Sequence, residues 1–122
     1  MDFIESKAIY LQIVNLVYHK ILLGEWTPSE RIPAVREMAV SLEVNPNTVM
    51  RTYQYLENMN VINVKRGTGY YLTENAYEQV YSTMRKEFLE TSLPQLFKNI
   101  SLLKFTPDEI RDLYQAFLNQ NK

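Results

Sequence analysis

Between Val44 and Tyr53 the chain reads VNPNTVMRTY, which crowds two asparagines, two threonines and an arginine into one short stretch. These side chains make directed hydrogen bonds. A carboxamide matches the donor and acceptor on the edge of adenine, and a guanidinium matches guanine or a phosphate oxygen pair. Asn45 followed by Pro46 is also a helix start, with an acceptor side chain at the cap and a proline where the missing N–H costs nothing. At about 100° per residue, Val49, Thr52, Tyr53 and Leu56 fall on one side of that helix. Asn47, Met50, Arg51, Gln54 and Asn58 fall on the other, with Met50 available to a thymine methyl. The first set is expected in a core and the second in solvent. An exposed face of this kind suits base-edge recognition, but it also suits an ordinary solvated helix. The elements around it have to decide.

From Lys7 to Leu23 the apolar residues Ile9, Ile13, Leu16, Val17 and Ile21 fall near one helical face, and Gly24 stands at the C-cap position. The stretch EWTPSERIP breaks the pattern. Val35, Met38, Ala39 and Leu42 then predict a short second helix from about Ala34 to Leu42, followed by a turn of about three residues and the helix that opens at Asn45, which runs to about Asn58. After it the period changes. VINV, KRGTG and YYLT read as two strands around a glycine-bearing turn. Three helices and a hairpin in this order make a winged helix-turn-helix. At the hairpin tip, Lys65 and Arg66 flank Gly67, so two cations can approach a phosphate backbone or a minor groove where the main chain also comes close.

Composition bounds the remaining possibilities. A chain of 122 residues can bury roughly two thirds of its unfolded surface, so it needs no staple to fold. The absence of cysteine excludes disulfides, thiolate catalysis and thiolate metal sites. The N-terminal MDFIESKAIY carries acids where a signal peptide carries bases, and no apolar run approaches the roughly 18 residues of a membrane span. A cytoplasmic protein without a membrane partner is expected. The net charge of -1 hides a local excess: from Arg31 to Thr73, five cations (Arg31, Arg36, Arg51, Lys65, Arg66) face three acids (Glu37, Glu43, Glu57), a balance of +2. That excess is too small to identify a polyanionic partner on its own. His19 is the single histidine, with no second ligand or nucleophile partner, and KRGTG is too short for a phosphate-binding loop. Tyr53, Tyr77, Tyr81 and Tyr114 sit at core spacing rather than marking an aromatic ligand pocket. No catalytic residue, metal site or cofactor is expected.

The segment from GEWTPSERIP through RGTGYYLT resembles the DNA-binding domain of the GntR family of bacterial transcription regulators, and with the first helix the resemblance covers residues 1–73. ERIPAVREMA, VNPNTVMRTYQYLE and RGTGYYL carry it jointly. The resemblance implies that Arg36 contacts DNA from the start of the second helix, that Asn45, Asn47 and Thr48 do so from the opening of the third, and that Gly67 approaches the minor groove. Arg51 joins them from the helical wheel, and Lys65 and Arg66 from the wing. Many relatives carry arginine where this chain has Pro46 and Met50, so its operator should differ from theirs. Ala34 stands where serine often caps the second helix, a loss of about 1 kcal/mol if nothing compensates. Ser29 replaces a frequent turn glycine.

Residues 74–122 read as helix throughout. Ala76, Tyr77, Val80, Tyr81, Met84 and Phe88 define one amphipathic run, and Leu96, Phe97, Ile100 and Leu103 continue beyond Pro94, which is expected to kink or break it. Ser92 and Gln95 have capping-box spacing, and Thr106, Pro107 and Glu109 form a clearer start ahead of Ile110, Leu113, Tyr114, Phe117 and Leu118. So few helices cannot enclose both a core and a ligand cavity of several hundred Å³. Their stripes call for a second copy of the chain, through Tyr77, Tyr81, Met84 and Phe88 on the first run, Leu96, Phe97 and Ile100 on the second, and Ile110, Tyr114 and Phe117 on the third. The expected architecture is therefore mainly α with a small β-hairpin: a winged helix-turn-helix followed by an all-helical dimerisation tail. The short tail resembles the YtrA-like branch of the family, which implies a homodimeric repressor on a palindromic operator, often of a transporter operon. The sequence identifies no effector. An alternative remains, in which the winged helix is a protein-interaction or scaffolding module. Arg36, Arg51 and Arg66 discriminate: convergence on one face with the exposed amides favours DNA binding, whereas scattering, or internal pairing with Glu30, Glu37 or Glu57, favours the alternative.

Overall fold

The computed structural model describes the backbone of residues 2–121 and the side chains of residues 9–121. The chain forms two compact units, Met1–Thr83 and Met84–Lys122. The expected boundary after Thr73 lies at the end of the hairpin; the division between compact units falls further on, inside the helix that follows.

In the first unit, α1 spans Asp2–Leu22 and so begins ahead of the expected Lys7. The side chains of Asp2, Glu5 and Lys7 lie outside the described residues. The helix buries Ile13, Val14, Val17, Tyr18 and Ile21. Ile9 and Leu16, expected on that face, are exposed at its margins, because the buried stripe is centred between adjacent positions and includes Val14 and Tyr18 instead. Gly24, with φ 77, ends α1: its N–H reaches Ile21 O at 3.1 Å and the Glu25 N–H reaches Lys20 O at 2.9 Å, the paired bonds of a left-handed helix stop.

Helix α2 spans Val35–Leu42 and α3 spans Pro46–Asn58. Ala34 does not leave the start of α2 bare, since the Glu37 carboxylate accepts the Ala34 N–H at 3.1 Å and supplies half of a capping box. Between the helices Glu43 takes the left-handed conformation at φ 56, which makes the turn tight enough for α2 to pack on α3. Helix α3 buries Val49, Thr52, Tyr53 and Leu56, the four residues expected from the wheel. The buried Thr52 hydroxyl lies within donating distance of Thr48 O at 2.9 Å and of Tyr10 O on α1 at 3.3 Å.

Strands β1 (Ile62–Lys65) and β2 (Gly69–Leu72) pair antiparallel, with Ile62 opposite Leu72 and Lys65 opposite Gly69. The linker before α2 also joins this sheet, which the sequence reading missed. Arg31 bridges to Tyr71, Ile32 N–H reaches Tyr70 O at 2.9 Å, and Leu72 N–H reaches Glu30 O at 3.2 Å. Ile32, Ile62 and Leu72 are buried beneath the sheet, and Tyr53 meets Tyr70 edge-on at 4.9 Å. Helix α4 (Ala76–Glu87) closes the unit with Ala76 and Val80 buried.

In the second unit, the chain passes from α4 through a π-helical turn, Phe88–Ser92, into α5 (Leu93–Leu102), and α6 covers Pro107–Gln120. Pro94 does not break the helix. The π-turn shifts the hydrogen bonds ahead of it, with the Leu93 N–H bonding Phe88 O, five residues back, so the helix reaches the proline without needing its absent N–H. Ser92 is itself helical and makes no side-chain cap, so the spacing to Gln95 is not a new start. The Thr106 box is present: Thr106 Oγ1 accepts the Glu109 N–H at 3.1 Å and the Glu109 carboxylate accepts the Thr106 N–H at 2.9 Å. Neither α5 nor α6 contains a buried residue.

Candidate nucleic-acid interface

The first turns of α3 hold a group of polar side chains suited to a nucleic-acid partner. Asn45, Asn47 and Arg51 are exposed and Thr48 is half-buried. Asn45 Oδ1 accepts the Asn47 N–H at 2.8 Å, so its oxygen is committed to capping the helix and only its NH₂ end remains to donate. No protein hydrogen bond is made by the Asn47 or Thr48 side chain among the described residues. Met50, Gln54 and Asn58 are exposed along the same helix, as the wheel required.

Arg36 is exposed at the first turn of α2 and lines a concavity of about 400 Å³ with Val40, Val44 and Pro46, which places it beside the start of α3. Arg51 lines a smaller one, about 170 Å³, with Tyr10, Asn47 and Thr48. Two cations therefore lie close to the N-terminal end of α3, Arg36 from α2 and Arg51 on α3 itself beside Tyr10 of α1. Neither they nor Arg66 form an ion pair among the described residues. Of the acids that could have neutralised them, Glu37 caps α2 and Glu30 accepts from the Thr27 hydroxyl, and Glu57 forms no ion pair with them among the described residues.

The wing residues form a separate group. Lys65, Arg66 and Gly67 are exposed in a turn closed by the Thr68 N–H to Lys65 O bond of 2.9 Å. Gly67 has φ 83, the conformation that a turn's third position reserves for glycine. The Lys65 ammonium sits 4.4 Å from the centre of the Tyr71 ring. No hydrogen bond, ion pair or ring contact joins this turn to α2 or α3 among the described residues.

His19 makes a 2.8 Å contact from Nδ1 to Asn15 O on its own helix, and no group of metal-ligating side chains occurs among the described residues. No described helix is long and apolar enough to cross a membrane.

Residues 9–72 of the chain match the family model described as "Bacterial regulatory proteins, gntR family". The chain belongs to the GntR family. It is 36% identical over 105 residues to an uncharacterised HTH-type transcriptional regulator, YhcF of Bacillus subtilis, covering 84% of this chain and 86% of that one. It is 39% identical over 88 residues to the HTH-type transcriptional repressor YtrA of the same organism, covering 70% and 68%. Among solved structures, a GntR family transcriptional regulator from Listeria monocytogenes superposes with a TM-score of 0.73 at 34% identity, over 88% of this chain and 93% of that one. This GntR protein is therefore a transcription regulator with a DNA-binding winged helix-turn-helix, and its family consists of regulators rather than enzymes.

Two features of this GntR domain were not legible in the motifs. Arg31, exposed in the linker that bridges to β2, extends its guanidinium over Gly69, so that a Cβ built at Gly69 would lie 3.0 Å from Arg31 Nε. Tyr10, on α1, lies beneath the guanidinium of Arg51 at 4.3 Å. A cation in the linker was a visible signal for the first. Nothing in the local sequence signalled the second, because the contact joins residues from different helices.

Proposed function

We propose that this chain is a homodimeric transcriptional repressor acting in the cytoplasm on a palindromic operator. The observation that carries the DNA-binding geometry is the sorting of α3: Val49, Thr52, Tyr53 and Leu56 are buried while Asn47, Met50, Arg51 and Gln54 face solvent, flanked by unpaired Arg36. In this reading Arg36, Asn45, Asn47, Thr48 and Arg51 contact the major-groove side of the site, and Lys65, Arg66 and Gly67 follow the adjacent backbone and minor groove. Against the interaction-module alternative, Arg36, Arg51 and Arg66 form no ion pair among the described residues and Arg36 and Arg51 both lie near the start of α3, while Arg66 stands apart in the wing turn.

The tail supports the dimer. Phe97, Tyr114 and Phe117 are each more than half exposed, and Leu96, Tyr77, Tyr81 and Phe88 are exposed as well. Met84, Ile100 and Ile110 are only half-buried. Of the tyrosines expected at core positions, Tyr53 is buried, whereas Tyr77, Tyr81 and Tyr114 are exposed. Phe97, Ile100, Phe105, Ile110 and Tyr114 line an open apolar groove of about 730 Å³, which the same helices of a second copy would fill. Two copies would present two α3 helices to half-sites about one helical turn, or a multiple, apart. The similarity to YtrA, named as a repressor, supports the direction of control, and the branch resemblance makes a transporter operon the first target to examine.

Selection of bound fragments from the host genome, followed by footprinting and light scattering of the complex, tests the proposal. Two chains on a two-fold symmetric footprint are expected, with affinity falling at least tenfold for a few-fold rise in salt. One chain per site, or a footprint without symmetry, overturns it.

A further inference from the structure

Arg51 is held in a specific way. Its guanidinium carbon lies 4.3 Å from the centre of the Tyr10 ring. Tyr10 is itself anchored by α3, because its ring meets Tyr55 edge-on at 6.2 Å and its carbonyl lies 3.3 Å from the Thr52 hydroxyl. The arginine and its support thus form one α1–α3 assembly. Stacking occupies the face of a guanidinium and leaves its in-plane N–H groups free. None of those groups is taken by a carboxylate among the described residues.

The hollow lined by Tyr10, Asn47, Thr48 and Arg51 brings together a cation, a hydroxyl and a carboxamide whose hydrogen-bonding groups are uncommitted. A phosphodiester offers only acceptors and a negative charge, and this set can donate to it from several directions. A base edge asks for something different. It requires a side chain extended along the groove floor, whereas Arg51 is drawn back onto α1.

We propose that Tyr10 is a positioning residue of the DNA interface and that the Tyr10–Arg51 pair seats a backbone phosphodiester beside α3 rather than reading a base. This deepens the DNA-binding reading and rests on it. The ring fixes the long arginine side chain before DNA arrives, so less rotamer freedom is lost on binding.

The test uses the full chain with two labelled duplexes, the selected operator and a random sequence of equal length, titrated from about 50 to 200 mM salt. Arg51→Ala and Tyr10→Leu should each weaken both duplexes by the same factor, about tenfold, and reduce the salt slope by about one unit per subunit. Tyr10→Phe, which keeps the ring, should match the unsubstituted chain. The double variant should lose no more than Arg51→Ala alone. A loss confined to one operator base pair, with the slope unchanged, would make Arg51 a base reader and overturn the proposal. So would Tyr10→Leu binding normally, or Tyr10→Phe failing as Tyr10→Leu does. If the unsubstituted chain shows no salt-dependent DNA binding, the underlying DNA reading fails instead, and the two failures are distinguishable.

Discussion

The Tyr53 hydroxyl donates a 2.7 Å hydrogen bond to the Pro33 carbonyl, tying the middle of α3 to the residue that leads into α2. Tyr53 is fully buried and Pro33 partly so, so the bond gives the buried phenol hydroxyl its partner. It also fixes the spacing between the two helices of the DNA-binding motif. Tyr53→Phe should lower stability by about 0.5–1.5 kcal/mol, read as a shift in urea midpoint with the slope unchanged.

The same phenol gives stability a dependence on alkaline pH. Burial, then the neighbouring Tyr70 and Glu37, push its pKa above the ordinary phenol value. The folded state therefore holds the proton more tightly than the unfolded state, and the contribution is fully present below about pH 10 and lost as pH rises beyond it. Urea titrations across that range should show a decline in the unsubstituted chain that is shallower in Tyr53→Phe.

Asn45 has two separable roles. Its side-chain oxygen caps α3, while its NH₂ end faces solvent. Asn45→Ala should cost about 1 kcal/mol of stability. Asn45→Ser keeps a capping acceptor and should restore the thermal midpoint without restoring operator affinity. Restored affinity in the serine variant would show that Asn45 acts on DNA only through the cap.

Ser29 occupies the left-handed region at φ 65 while its N–H bonds Leu72 O at 3.1 Å. A side chain is disfavoured there, and glycine is not. Ser29→Gly should stabilise the chain by about 0.5–1 kcal/mol, measured by calorimetry, because the relief of strain exceeds the added freedom of the unfolded chain.

The tail can be tested apart from the DNA-binding unit. Phe97→Asp places a charge in the open groove between α5 and α6. Sedimentation velocity should show the two-chain species replaced by a one-chain species, with the far-ultraviolet dichroism of the helices retained. A two-chain species that survives this change would move the dimer contact away from the groove.

The sequence was most legible where one periodic pattern met one buried face. The wheel of α3 named Val49, Thr52, Tyr53 and Leu56, and all four are buried. The cap at Asn45 and the box at Thr106 followed from local hydrogen-bond chemistry, which the chain carries within a few residues. Features that depend on distant partners were not legible. The Arg31–Tyr71 bridge needs strand β2 beside a linker that contains two prolines. The Tyr10–Arg51 stack joins α1 to α3. Pro94 misled for a related reason, because the rule against mid-helix proline assumes bonds four residues back, and here the preceding turn bonds five back.

That wider turn also absorbs one residue of the tail's sequence. A π-turn carries about one residue more than an α-turn in a single revolution, so each of its residues turns the chain by less than the roughly 100° of an α-helix. Deleting a single residue between Phe88 and Ser92 would restore an α-turn and leave Leu96 and Phe97 at nearly their present angle to Met84, because the wider turn already holds the extra residue within one revolution. Pro94 would then fall within an ordinary ladder that has no room for its ring. The residue absorbed by this turn thus gives Pro94 its place in the helix, while the downstream apolar surface keeps nearly the direction it would have on an uninterrupted helix.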